Sequence, residues 1–249
     1  MCTDFDYALA NQQFTVYYQP RMDLRRQTIV GAEALLRWQH PERGLLLPHQ
    51  FIPQAESSGF IVPLGEWVLR AAVKQQRVWM EAGTPLCMAV NLAPQQLDVP
   101  TFATSVKEIL HDQQVSPTCL ELELTETQAL AHFSKAYATM TTLQQDGVRF
   151  AMDDFGIGYS TLERMRAIPF DTIKLDRTFI QGLTTNRTDR AIARMTIQLG
   201  RTLQQRVVAE GVEDIRQVRL LERWGCDEIQ GFYLGQPAPA REFKQRFLR

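Results

Sequence analysis

Strand-like and helix-like stretches alternate along the whole chain, and this alternation limits the possible folds more than any other feature. The strand candidates are residues 14–19, 29–36, 86–92, 120–124, 148–153, 172–175, 206–209 and 228–234. They are short, rich in β-branched, aromatic or aliphatic residues, and in Leu120-Glu-Leu-Glu-Leu124 strictly alternating. The helix candidates between them are residues 51–57, 64–81, 99–112, 128–146, 161–167, 188–204, 215–224 and 241–248. Residues 64–81 carry Val68, Leu69, Ala72 and Val73 on one side and stop at Gly83 and Pro85. Gly147 and Gly225 close two of the others. Eight strands separated by helices predict an α/β fold closed as a parallel (β/α)₈ barrel, not an open sheet. The length of 249 residues fits one such barrel, which takes ~250 residues. With no internal repeat or linker visible, residues 1–249 read as a single domain.

Polar residues recur at or near the C-terminal ends of the expected strands. They are Glu33, Asn91, Glu123, Asp153 with Asp154, Lys174 with Asp176, Glu210, and Gln230. Barrel enzymes assemble their sites at that face from several strands. Any one of these residues alone reads better as an ordinary loop-edge residue; the same pattern on seven strands does not. Asp153 and Asp154 repel each other unless a cation neutralises them. An all-oxygen acidic site suits a hard divalent metal better than zinc. Gly156 and Gly158 allow the following loop to approach a ligand closely. Taken by itself, the stretch fits a solvated Asp-Asp turn as well as it fits a metal site.

Several function classes are disfavoured. A formal net charge of −1 argues against a binder of polymeric nucleic acid, which needs a basic excess. Arg25-Arg26 and Arg187, Arg190 and Arg194 read as solvated faces. Cys2, Cys87, Cys119 and Cys226 are scattered without a C-x-x-C pair, as in a reduced chain. No apolar run is long enough to span a bilayer, and the first residues lack a signal-peptide pattern. The expectation is a cytoplasmic segment, with sensory or regulatory domains in a longer parent chain that could itself be membrane-anchored. His40, His49, His111 and His132 show no zinc-binding spacing, and the Gly-Ile-Gly at 156–158 is not a P-loop.

At these residues the chain strongly resembles the EAL family of cyclic-di-GMP phosphodiesterases. Glu33-Ala34-Leu35 stands within Gly31-Ala-Glu-Ala-Leu-Leu-Arg-Trp38. Phe51-Ile-Pro-Gln-Ala-Glu56, Asn91-Leu92, Glu121-Leu-Glu-Leu-Thr-Glu126 and Asp153-Asp-Phe-Gly-Ile-Gly-Tyr-Ser160 follow in the family's order. Ile173-Lys-Leu-Asp176, Ala209-Glu-Gly-Val-Glu213 and Gln230-Gly-Phe-Tyr233 complete the set, over residues 14–237. The resemblance implies a modified (β/α)₈ barrel whose first strand runs against the others. It also implies hydrolysis of cyclic-di-GMP to linear pGpG with two divalent cations, Mg²⁺ or Mn²⁺, with Ca²⁺ inhibitory. Glu33, Asn91, Glu123 and Asp153 match ligands to one metal; Asp153, Asp154 and Glu210 match ligands to the other. Lys174 matches a lysine that contacts the attacking water, and either Lys174 or Glu210 could be the general base. Gln19, Leu35, Arg37, Asp176, Glu213 and Gln230 match substrate-side positions. Glu126 matches a glutamate that holds the loop of residues 155–160. A homodimer formed through helices near that loop is implied as well.

Three positions depart from the family pattern. Ile157 stands for a usual Thr, Ala93 for a usual Ser, and Gly235-Gln236-Pro237 for Ser-Arg-Pro. None removes an expected ligand. Two other classes compete with the enzyme reading. A catalytically dead cyclic-di-GMP receptor usually lacks the motif Glu or the Asp pair, yet Glu33, Asp153 and Asp154 all remain. A two-carboxylate barrel glycosidase leaves Asn91, Lys174 and the additional acids without a role.

Overall fold

The computed structural model describes residues 2–125, 127–128, 133–156 and 170–248. Strands β1 (Phe14–Asp23), β2 (Thr28–His40), β4 (Cys87–Asn91), β5 (Leu120–Thr125), β6 (Arg149–Phe155), β7 (Thr172–Leu175), β8 (Arg206–Ala209) and β9 (Glu228–Gln230) close into an eight-stranded barrel. Strands β2 and β4 to β9 pair in parallel. β1 is antiparallel to both its neighbours, β2 and β9. The expected barrel with one reversed strand is therefore the observed one. A short β3 (Gly44–Leu46) extends β2, and β10 (Ala238–Pro239) pairs with β1.

The reversed strand follows from a short connection. β1 and β2 are joined by residues 24–27, too few for a crossover helix, so the two strands form a hairpin. Gln27 takes the positive-φ position of that turn, at φ 53°. Asp23 caps the turn by accepting hydrogen bonds from the backbone N–H groups of Arg25 and Arg26. β2 runs for 13 residues, well beyond the expected 29–36. Glu33 accordingly lies mid-strand, level with Ala89 of β4, and not at a strand end.

Helices α1 (Cys2–Ala10), α2 (Ile52–Ser58), α3 (Ile61–Glu81), α4 (Pro94–Leu97), α5 (Phe102–Asp112), α6 (Phe133–Gln145), α7 (Arg177–Gln181), α8 (Arg187–Leu203), α9 (Ile215–Trp224) and α10 (Ala240–Phe247) surround the strands. The expectation at 215–224 matches α9, and those at 64–81, 99–112 and 188–204 differ from α3, α5 and α8 by one to three residues at an end. The sequence reading did not anticipate α1. Its Phe5 stacks on Phe60 and packs on Trp38, with ring centroids 5.2 and 5.3 Å away. The helix expected over 161–167 lies outside the described residues, as do Glu126 and the loop positions from Ile157 onward.

The last strand is shorter than expected, ending at Gln230 instead of residue 234. Gly231 turns the chain there at φ 154°, and a Cβ on it would meet Val212 backbone atoms 2.2 and 2.3 Å away. Only glycine lets the two backbones come that close. Val212 then donates its N–H to the carbonyl of Gln230 and accepts from Tyr233.

The apolar core lies between strands and helices, not inside the barrel. Leu120, Leu122 and Leu124 of β5 are buried against the helical layer, while Glu121 and Glu123 alternate to the other face, also buried. Inside are Gln19, Arg21, Glu33, Glu121, Glu123, Thr172, Lys174, Glu228 and Gln230, all buried. Barrel interiors are usually filled with branched aliphatic residues. Among the described residues no helix is long and apolar enough to cross a membrane.

Trp79 ties α3 to the barrel and the C-terminal helix. It is 1% exposed, meets the edge of Tyr18 at 4.9 Å and stacks on Phe243 at 4.8 Å. Trp79→Ala is expected to lower stability by about 3–5 kcal/mol, the usual cost of removing a buried aromatic. The shift in urea midpoint measures it.

Candidate functional site

Four strands deliver carboxylates to one end of the barrel, and a fifth delivers the ammonium that joins them. Lys174 of β7 is 1% exposed. Its Nζ lies 2.6 Å from Glu123 of β5, 2.7 Å from Glu210 after β8, 3.3 Å from Asp153 of β6 and 3.7 Å from Glu33 of β2. Glu33 is held from two further sides. Its Oε1 accepts from Asn91 Nδ2 at 2.7 Å, and its Oε2 from Gln230 Nε2 at 2.5 Å. Gln230 also donates to Gln19 Oε1 at 3.0 Å, and Gln19 donates to the carbonyl of Gly235 at 3.3 Å.

A bulge aims the paired aspartates. The β6–β7 register slips between Met152 and Phe155, so Asp153 and Asp154 fall outside the regular pairing with β7. Asp154 takes φ 55°, a left-handed conformation that Asp tolerates better than most residues. Its backbone N–H donates to Asp153 Oδ1 at 3.0 Å. Bulges next to a site commonly re-aim side chains in this way. Strain of this kind persists where the surroundings enforce it, and functional sites are where it gathers.

Negative charge exceeds positive charge here. Burial would lower Lys174, but Asp153, Glu123, Glu210 and Glu33 outweigh it and raise its pKa, so the ammonium stays charged. Burial, with Asp153 and Glu33, pushes Glu210 up to about 8 against the pull of Lys174. Burial, with Asp153 and Asp176, pushes Asp154 up to about 6. Glu33 is held low: burial opposes ionisation, but Lys174, Gln230 and Asn91 favour it more. Among the described residues, two buried acceptors of this site, Glu123 Oε1 and Gln230 Oε1, have no hydrogen-bond partner. Among the described residues no three acids, histidines or cysteines already stand in a metal-binding arrangement. Lys174 occupies the point on which the carboxylates converge.

The structure brings most of the expected residues together. A cavity of about 220 Å³ is lined by Gln19, Glu33, Asp153, Lys174, Glu210, Glu213 and Gln230. Asn91 and Glu123 join through their contacts with Glu33 and Lys174. Asp176 neighbours Asp154 and is the N-cap of α7, accepting from the backbone N–H and the hydroxyl of Thr178 at 2.8 and 2.5 Å. Leu35 lies outside this cavity, in a neighbouring apolar one of about 310 Å³ beside Pro48, Ile52 and Asn91. Arg37 also stands apart. It donates to the carbonyl of Leu36, and its guanidinium covers the Tyr17 ring at 5.4 Å.

Sequence reasoning missed Arg177, Gln181 and Phe232 in the cavity wall. It also missed a lower charged layer made by Arg21, Glu121 and Glu228. The signal for that layer was present in residues 120–124: if Glu123 faces inward, Glu121 must face inward too. Two departures from the family pattern have defined surroundings. Gln96 Oε1 accepts the Ala93 backbone N–H at 3.0 Å. At Gly235 a Cβ would meet the tip of the half-buried Phe247 ring at 2.5 Å, so a larger residue there requires that ring to shift.

Comparison with known proteins agrees with this geometry. Residues 3–237 match the EAL domain family model. The bifunctional diguanylate cyclase/cyclic di-GMP phosphodiesterase MucR of Pseudomonas aeruginosa is 40% identical, covering 96% of this chain and 35% of MucR. The cyclic di-GMP phosphodiesterase PdeR of Escherichia coli is 36% identical, covering 99% of this chain and 37% of PdeR. A solved structure described as the PaMucR phosphodiesterase in complex with c-di-GMP superposes with a TM-score of 0.92 at 40% identity, covering 97% of this chain and 98% of that one. The chain thus spans roughly a third of these curated relatives' length.

Lys174→Met tests the charge balance without reference to any reaction. Without the ammonium, the facing carboxyls titrate higher in the folded protein than in the unfolded one. The folded state then binds more protons, so stability falls as pH rises. The variant's melting temperature in EDTA should drop further below wild type at pH 8 than at pH 5, and differential scanning calorimetry reads the difference.

Proposed function

This chain belongs to the EAL domain family, and from that premise we propose that it is a metal-dependent phosphodiesterase that hydrolyses one phosphodiester bond of cyclic-di-GMP to give linear pGpG. The observation that carries the reading is the surplus of carboxylates, two buried and two half-buried, around one ammonium. Glu33, Glu123, Asp153 and Glu210 face Lys174, and Asp154 stands beside them. Such a surplus suits cations better than it suits a second acidic substrate group. The names of MucR and PdeR, and the c-di-GMP in the PaMucR structure, support the choice of substrate.

The donor set fits hard divalent ions of the Mg²⁺ or Mn²⁺ class, since every candidate donor is oxygen. Glu33, Asn91, Glu123 and Asp153 would hold one ion; Asp153, Asp154 and Glu210 would hold the second. Asn91 gives its Nδ2 to Glu33, which leaves its amide oxygen as a donor to a cation. Bound ions of this kind neutralise phosphate oxygens and acidify water. The protein's own groups do the rest. Gln19 and Gln230 form an amide wall beside Glu33 that orients the substrate. Lys174 stands among the carboxylates that would hold the ions, placed to contact the phosphate or the attacking water. Lys174 and Glu210 are the two candidates for accepting the proton of that water. The same reading includes inhibition by Ca²⁺, pairing of two copies through helices near the Asp153–Asp154 loop, and control by further domains of a longer parent protein.

Incubation with cyclic-di-GMP and Mg²⁺ or Mn²⁺, followed by chromatography, tests the reading. pGpG should form, and EDTA or Glu33→Ala should abolish its formation. Binding of cyclic-di-GMP without turnover at any metal concentration would make the chain a receptor instead.

A further inference from the structure

The lower charged layer does not belong to the set of groups that would touch metal or substrate, yet it lies directly against one of them. Arg21 of β1 is 1% exposed. Its Nε and Nη2 both donate to Glu228 Oε2, at 3.0 and 2.7 Å, and its Nη1 donates to Glu121 Oε1. The two glutamates are anchored through their other oxygens. Thr172 donates to Glu121 Oε2 at 2.7 Å, and Arg206 Nη1 lies 3.4 Å from Glu228 Oε1. Gly31 lies beside this layer: a Cβ there would meet the Cys87 carbonyl oxygen at 2.9 Å and would be in ordinary contact with Arg21 Nε at 3.7 Å.

This anchored guanidinium faces Glu123. Arg21 Nη1 lies 3.8 Å from Glu123 Oε1, a buried atom with no hydrogen-bond partner, while Glu123 Oε2 contacts Lys174 at 2.6 Å. The carboxylate is therefore split between two cations, one oxygen toward Arg21 and the other toward Lys174. We propose that Arg21 is a positioning residue for the metal site: by engaging one oxygen of Glu123 from below, it fixes the carboxylate so that the other presents to the cation. The inference rests on the metal-dependent reading above.

A purely structural role is the competing account. Arg21 would then serve only to offset Glu121 and Glu228, and buried ion triads of that kind can be replaced by neutral groups without loss of stability. The two accounts separate in a variant that removes the whole triad's charge at once, Arg21→Met/Glu121→Gln/Glu228→Gln. If Arg21 only balances its glutamates, the neutral triad binds metal as wild type does. If it positions Glu123, the half-saturating Mn²⁺ concentration rises about tenfold or more, the usual effect of losing a residue that orients a ligand.

Mn²⁺ binding is measured directly by electron paramagnetic resonance on metal-free protein, with the thermal melt as the check on folding. The expected result is a melt near wild type, weakened Mn²⁺ binding and an unchanged KM for cyclic-di-GMP. In a Glu123→Gln background the same triple change should add little, because the two sites act through one carboxylate. Arg21→Lys keeps the charge but not the fork, and should fall between; it decides the matter if the triple variant does not fold. Wild-type Mn²⁺ affinity in a folded triple variant, or in Arg21→Lys should the triple variant not fold, would overturn the proposal and leave the phosphodiesterase reading intact. A wild-type protein that binds no Mn²⁺ would overturn both.

Discussion

Everything at the open end of this barrel depends on one buried charged group, the Lys174 ammonium. Four carboxylates from different parts of the sheet reach it within 3.7 Å. Removing one ion from such a set leaves uncompensated charge behind, and that is costly for the buried members. The arrangement is also unbalanced, with more acids than cations. Asp154 adds a further acid beside the four that face Lys174. A site in this condition has capacity left for a cation, and that capacity is what the functional reading uses.

The fold supplies the positions at a cost in ordinary core packing. Polar side chains take over the interior, and the apolar residues of each strand are spent on the helical layer instead. Local devices then set the aim. The four-residue turn between β1 and β2 reverses the first strand and places Gln19 opposite Glu33. The β6 bulge interrupts the ladder at two consecutive aspartates, and Asp153 lines the cavity. Gly231 allows Val212 to grip the backbone immediately after Gln230. Each device is short-range, yet together they bring residues nearly two hundred positions apart, such as Glu33 and Gln230, within 2.5 Å.

Much of this was legible in the sequence because strands and helices differ in period and length. The strands at 172–175 and 206–209 and the helix at 215–224 have sharp apolar boundaries, and they match the structure. Glu33, Asn91, Glu123, Asp153 and Lys174 are recognisable as polar residues set in apolar strands. The lower layer was not read, because Arg21 and Glu228 look like strand-edge charges until the closure of β1 on β9 brings them together. The last strand was read too long, since Phe232 and Tyr233 suggest a strand, and only the three-dimensional approach of Val212 shows why the chain must turn at Gly231. Helix α1 escaped notice because its partners, Trp38 and Phe60, lie far along the chain.

The central claim is that the carboxylates now gathered on Lys174 form a cation site. Anomalous diffraction from crystals soaked in Mn²⁺ tests this directly. The account predicts Mn²⁺ density bonded to Glu33, Asn91, Glu123 and Asp153, with Lys174 withdrawn from at least one of its present carboxylate contacts. Saturating Mn²⁺ with no anomalous peak at these residues, and Lys174 still in contact with all four carboxylates, would contradict it.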